Sequence, residues 1–237
     1  MLVGTKLGDI FNFLYRLALV RLLTIQEYGV LNSLISFSLI FCQFIAPFQP
    51  ALSKYLAGYI GKKEISRARF VINRTGRDLS IFAGAVFLLF IFLAPRLAES
   101  LNINRPVYLI LLGLLISSNM ISAVPRAFLQ GAQLFTAMAW ITASSAFLKL
   151  GVGLGLVAVG YKVSGGLGGL IAASVFILFA GFFITKKYLA RGWAVADKIA
   201  PVSMAGIYRY FIPASLMMGS FWVLTNIDVI LVKRFFS

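Results

Sequence analysis

Between Leu79 and Pro95 the chain carries no charged residue, and apolar runs of comparable length recur along it. Such a run can enter a large protein core or the hydrocarbon of a bilayer, where a helix needs about 20 mostly apolar residues to cross. Of the 237 residues, 60% are hydrophobic and 12% charged, too few polar side chains to clothe a soluble surface around so many buried segments. Soluble domains carry roughly a quarter charged residues and under half apolar ones. The expected class is all-α, a polytopic membrane helix bundle, because lipid cannot satisfy the backbone groups of loops or open strands. Alternating strands of an outer-membrane barrel are absent from the pattern.

Seven stretches meet the length requirement. They run from about Val3 to Thr24, Tyr28 to Tyr59, Leu79 to Pro95, Pro106 to Gln130, Thr136 to Gly160, Leu167 to Tyr188 and Ile207 to Lys233. The first is interrupted by Asp9, Asn12, Arg16 and Arg21 and lacks a small-residue cleavage site, so it reads as a retained span rather than a signal peptide. Charge then sets the orientation. The net charge is +15, from 22 Lys+Arg against 7 Asp+Glu. Lys62, Lys63, Arg67, Arg69, Arg74 and Arg77 lie between spans two and three, and Lys186, Lys187, Arg191 and Lys198 between spans six and seven. The opposite loops hold only Arg96, Arg105 and Lys162. The basic side is expected to be cytoplasmic, which puts the N-terminus inside and the chain in the inner, cytoplasmic membrane. A basic nucleic-acid binder would spread its charges over polar surfaces instead. Within the 61–78 loop, Ile65, Ala68, Ile72 and Leu79 recur at helical spacing, which predicts an amphipathic helix lying on the inner membrane surface.

Polar residues inside the spans carry the functional information, because they must face a partner or water. Asp9, Asn12 and Arg16 are spaced by three and four on the first helix. Ser118 or Asn119, Ser122 and Arg126 form a similar stripe on the fourth, where Pro125 is expected to kink the helix. Thr142, Ser145 and Lys149 repeat it on the fifth, with Lys149 near mid-membrane, and the seventh offers Thr225, Asn226 and Asp228. The second adds Gln43 and Gln49 around Pro47 and Pro50. Satisfaction within a packed bundle, or snorkelling to the interface, is the plain explanation for those near span ends. Arg16, Lys149 and Asp228 lie too deep for easy snorkelling. Basic stripes on three helices predict one shared, water-filled cavity lined by Asn12, Arg16, Arg126, Lys149 and Asp228, suited to an anionic, phosphate-bearing substrate.

Several chemistries are excluded. Without histidine and with Cys42 alone, the chain has no His/Cys zinc cluster, catalytic triad or internal disulfide, so no metal, cofactor or enzymatic role is expected. Gly151, Gly155, Gly165 and Gly169 have small-xxx-small spacing, but no Gly-Lys-Ser/Thr follows to make a P-loop. Close helix packing is their expected meaning. Cys42, among apolar neighbours, reads as core. Sliding the chain by 212 residues sets Tyr15–Arg21 over Ile227–Lys233, which aligns Arg21 with Lys233 and Arg16 with Asp228. This suggests a parallel repeat.

Three segments together carry a family resemblance. Arg21-Leu22-Leu23-Thr24-Ile25-Gln26-Glu27-Tyr28-Gly29 resembles the Arg-x-Leu…Glu-x-Gly segment after the first helix of polysaccharide exporters. Leu129-Gln130-Gly131-Ala132-Gln133-Leu134-Phe135 is similar to that family's turn between helices four and five, and Asn226-Ile227-Asp228-Val229-Ile230-Leu231 to its Asp-bearing seventh helix. These are lipid-linked oligosaccharide flippases of the O-antigen and teichoic-acid export type, in the multidrug/oligosaccharidyl-lipid/polysaccharide superfamily. The resemblance implies two six-helix lobes. The chain would then be a six-helix N-terminal lobe (1–190), a cytoplasmic linker (191–205) and the first helix of a truncated second lobe (206–237).

The implied activity is movement of an anionic, undecaprenyl-diphosphate-linked glycan from the inner to the outer leaflet by alternating access, among membrane lipids and with no nucleic acid. Arg16 and Lys149, joined by Arg126, would hold the diphosphate, and Asp228 would face Arg16 across a gate. Coupling to an ion gradient fits such a cycle, although no residue singles out the ion. A multidrug/cation antiporter of the same superfamily is the alternative, disfavoured because Asp9 is the only acid on the first helix. A non-catalytic membrane assembly subunit is the other.

Overall fold

The computed structural model describes residues 2–100, 103, 105–191 and 205–235; side chains are described for these apart from 2–5, 191, 205–208, 210, 226 and 228–235. Every described element is helical. In chain order they are α1 (Leu2–Leu22), α2 (Ile25–Ile45), α3 (Phe48–Gly61), α4 (Ile65–Ser100), α5 (Val107–Gly131), α6 (Phe135–Leu156), α7 (Lys162–Arg191) and α8 (Ala205–Phe235), with a π-helical turn at Val157–Tyr161 between α6 and α7. Four helical stretches are long and apolar enough to cross a bilayer: Ile25–Gly61, Ile65–Ser100, Val107–Gly131 and Phe135–Ala190. By length and composition the chain is a multi-pass membrane protein. α1, which carries Lys6, Asp9, Arg16 and Arg21, is not among the four, and α8 contributes a shorter apolar helix, Phe211–Thr225.

The sequence explains where the helices start and turn. Between α1 and α2, the Thr24 hydroxyl accepts from the Glu27 N–H at 3.3 Å while the Glu27 carboxylate accepts from the Thr24 N–H at 3.1 Å. This reciprocal cap satisfies two donors that a helix start leaves orphaned. The expected span from Tyr28 to Tyr59 lies within the apolar stretch Ile25–Gly61, which is built of two helices that break at Ala46–Pro47. Pro47 and Pro50 have no N–H, so the carbonyls four residues earlier, at Gln43 and Ala46, lose their helical donors. Pro125, by contrast, is absorbed inside α5 without ending it. The Phe135–Ala190 stretch doubles back at Gly160 (φ 102°) and Lys162 (φ 44°), a backbone region that only glycine adopts without strain. α7 therefore runs antiparallel along α6.

The basic 61–78 segment departs from expectation. It is no surface helix: from Ile65 it is the first part of the 36-residue α4. Its apolar face is taken by the protein, with Ala68, Val71 and Ile72 buried against Leu52, Leu56, Phe128 and Leu189. The Arg69 guanidinium donates to the Leu189 carbonyl at 2.8 Å, near the end of α7. No breaker interrupts helical spacing between Ile65 and Ala94, so the helix simply continues. The expected linker at 191–205 falls on 192–204, outside the described residues, while α8 lies against α2 and α3 through Phe211–Phe48 and Gly219–Phe44.

The core is mainly apolar, yet small hydroxyls share it and large apolar side chains also face outward. Ser122 is fully buried and Thr75, Ser117, Ser118, Ser145, Ser174 and Thr185 nearly so, whereas Phe92 on α4 and Leu224 on α8 are more than three-quarters exposed. Outward Phe and Leu with inward hydroxyls is the arrangement lipid favours. Helix contact is closest where glycines meet. A Cβ on Gly169 would come within 2.7 Å of both the Gly153 Cα and the Lys149 carbonyl oxygen, and one on Gly165 within 2.8 Å of the Val157 nitrogen. Gly151 and Gly155 face open space instead. The seam between α6 and α7 thus uses Gly153, Gly165 and Gly169, and the four-residue spacing that pointed to Gly151 and Gly155 selected the adjacent stripe. Gly169→Ala should cost about 1–3 kcal/mol through backbone separation. Gly151→Ala should leave stability unchanged or raise it by up to about 1 kcal/mol. Thermal unfolding of the two variants in the same detergent checks the contrast.

Candidate functional site

Along α1, burial selects Gly8, Tyr15, Leu19 and Leu23, with Asn12 half-buried on the same face. The expected stripe of Asp9, Asn12 and Arg16 is therefore not the inward one. Asp9 and Arg16 each follow a buried residue by one position, about 100° around the helix, and both are exposed. α1 runs parallel to α6: Gly8 lies against Thr142, Phe11 stacks edge-on with Phe147 at 5.6 Å, and Tyr15 lies against Gly153.

At the centre of this contact the Lys149 ammonium donates to the Asn12 side-chain oxygen. The same ammonium sits 5.0 Å from the centre of the Tyr15 ring, within the range of a cation–π attraction. Tyr15 in turn donates its hydroxyl to the Gly166 carbonyl of α7, so one aromatic side chain joins three helices. Arg16 stands one turn beyond Asn12 on α1 and is exposed. Lys149 lies fourteen residues into the 22-residue α6 and so about 21 Å from the helix start. No acidic side chain pairs with it among the described residues. Tyr15 escapes a search for ionisable groups, yet its spacing from Gly8 and Asn12 marks the buried stripe.

Arg126 lies elsewhere. It lines a cavity of about 230 Å³ with Asn119 of α5 and Cys42, Gln43, Ala46 and Gln49 from the α2–α3 break. It stands five residues before the end of α5, about 8 Å from the level at which α6 begins, whereas Lys149 is about 21 Å from it. α1 and α6 hold the Lys149 group, and α2, α3 and α5 hold Arg126. The expected single cavity resolves into two separate basic places, because residues on neighbouring helices share a cavity only when depth and facing both agree. Asp228 and Asn226 have side chains outside the described residues, so the expected Arg16–Asp228 gate lies outside them too. Cys42 is half-buried and lines the cavity rather than the core.

Most remaining polar side chains satisfy themselves locally. Ser118 and Asn119 donate to carbonyls four residues back, Ser122 and Ser145 three back, and Thr142 four back. Three bonds cross between helices: the Ser117 hydroxyl donates to the Ala83 carbonyl at 2.9 Å, the Gln49 amide to the Gln130 side-chain oxygen at 3.0 Å, and the Ser174 hydroxyl to the Asn119 side-chain oxygen at 3.3 Å. At the turn between α6 and α7, Lys162 pairs with the capping Glu27 at 2.8 Å and ties it to the α1–α2 turn.

Replacing Asn12 by Leu leaves the Lys149 ammonium without its acceptor and should cost about 1.5–3 kcal/mol. Adding Lys149→Met should restore part of that loss, since both polar partners are then gone. A double-mutant cycle on detergent unfolding midpoints checks the coupling. Comparison with known proteins gives no match to any family model, curated protein or solved structure.

Proposed function

We propose that this multi-pass membrane protein is a transporter that moves an anionic, lipid-linked glycan across the bilayer by alternating access. The observation that carries the reading is Lys149, a cation deep within the apolar α6, with a neutral amide as its side-chain acceptor and a second cation, Arg16, one turn along α1 from that amide. Ionisable residues at that depth are costly and mark substrate paths. Two neighbouring positive charges without a carboxylate suit a diphosphate, and they repel the cation that a multidrug antiporter must bind.

In this reading the crossing segments number seven, with α2 and α3 forming one and α6 and α7 one each. Helix contacts support the alternating directions this requires: α1 is parallel to α6, α5 to α7, and α8 antiparallel to α2. The ends bearing Lys62, Lys63, Arg67, Lys186 and Lys187 would then face the cytoplasm, with the N-terminus inside. α1–α7 would form an N-terminal lobe and α8 would begin a second. The diphosphate would bind between Lys149 and Arg16, with Asn12 relaying its amide from the ammonium to the ligand, while the polyprenyl tail stays in lipid.

Leaflet exchange decides the matter. In proteoliposomes, a fluorescent polyprenyl-diphosphate sugar should become accessible to an impermeant quencher at a rate that Lys149→Gln lowers at least about tenfold, the loss expected for one charge-assisted contact of about 1.4 kcal/mol or more. Arg16→Glu and Asp228→Arg should each abolish exchange, and the double swap should restore part of it. A fluorescent phosphatidylcholine should cross at the same rate with every variant. Wild-type exchange after Arg16→Glu would sink the proposal.

A further inference from the structure

The second basic place has properties that the first does not explain. Arg126 offers five N–H donors and has no hydrogen-bond or ion-pair partner among the described residues. The acids with described side chains are committed or distant. Glu27 pairs with Lys162, Glu64 with Arg67 and Asp78 with Arg74, while Asp9 is exposed on α1 and Glu99 is exposed at the far end of α4. Nor does Arg126 snorkel towards the near end of its helix. The other α5 residues lining the cavity, among them Asn119 and Ala123, all precede it, and helical side chains lean towards the N-terminus. A guanidinium turned inward and left unpaired is expensive, and an anion removes the expense.

The surroundings suit an oxyanion. At about 230 Å³ the cavity is far larger than the roughly 10–15 Å³ that one water needs. Gln43 and Ala46 line it, and theirs are the carbonyls that Pro47 and Pro50 deprive of helical donors. The guanidinium and the remaining N–H of the Asn119 amide supply donors for the oxyanion. We propose that the cavity at the α2–α3 break is an anion-binding site in which Arg126 takes a phosphate-type oxyanion, free in solution or carried on a lipid headgroup. The site is independent of Lys149, so its failure leaves the transport reading untouched.

Cys42 is the chain's single cysteine and lines this cavity, so it serves as a built-in reporter. In phosphatidylcholine nanodiscs, the anionic sulfonatoethyl methanethiosulfonate should modify it at least about tenfold faster than the cationic trimethylammonium reagent, after normalisation to free 2-mercaptoethanol, because of the nearby positive charge. Inorganic phosphate should slow that modification if the ligand is a free anion. Protection that requires phosphatidic acid in the disc identifies a headgroup. Arg126→Gln should abolish both preference and protection, and Arg126→Lys should keep part of each; the wild-type comparison stands even where a variant fails to fold. Equal normalised rates, protection by neither phosphate source, or no modification by either reagent overturns the site.

Discussion

In lipid the hydrophobic effect does little to bring helices together, so contact must come from close packing of the backbones themselves. Here that contact is the glycine seam between α6 and α7. Gly169 comes so close to Gly153 and to the Lys149 carbonyl that any side chain there would part the helices. The seam therefore fixes the backbone of Lys149 from behind, while α1 presents Asn12 and Tyr15 from the front. Tyr15 fits because Gly153 has no side chain, and its hydroxyl reaches Gly166 on the far helix. Positioning of the deep cation thus descends from three glycines and one tyrosine.

The two basic places differ in how their charge is managed. Lys149 is bridged by an amide and covered by an aromatic face, an arrangement that holds a cation without neutralising it. Arg126 lines a cavity at the break between α2 and α3, where Pro47 and Pro50 interrupt the helical bonding. Both keep positive charge available inside the bundle, one by packing and the other by deliberate disruption of a helix. The hydroxyls that seemed to extend these stripes, such as Ser118 and Thr142, bond back to their own helices. They allow helices to approach while adding no free polarity.

Much of the architecture was legible because apolar length is a one-dimensional property. The positions of α5 and the α6–α7 pair and the turn near Gly160 follow from counting residues. Facing was less legible. Adjacent stripes on one helix differ by one residue, and spacing alone chose Asp9 and Arg16 over Gly8 and Tyr15, and Gly151 over Gly153. What decides between them is the partner helix, and α1 meets a partner far away in sequence. The basic face of α4 shows the same limit: its amphipathic spacing was correct, but the apolar side is covered by Leu189 and Phe128 instead of lipid. Periodicity tells which residues are hidden without telling what hides them.

The bond from Tyr15 to Gly166 spans 151 residues of chain. A ribosome adding roughly 5–20 residues per second needs about 8–30 s to make that distance. For most of this interval Asn12 and the Tyr15 hydroxyl lack their native partners, because α6 and α7, which supply them, are made later. α1 is thus made well before the helices that lock it in place, and its polar face spends seconds in the care of other partners or of water.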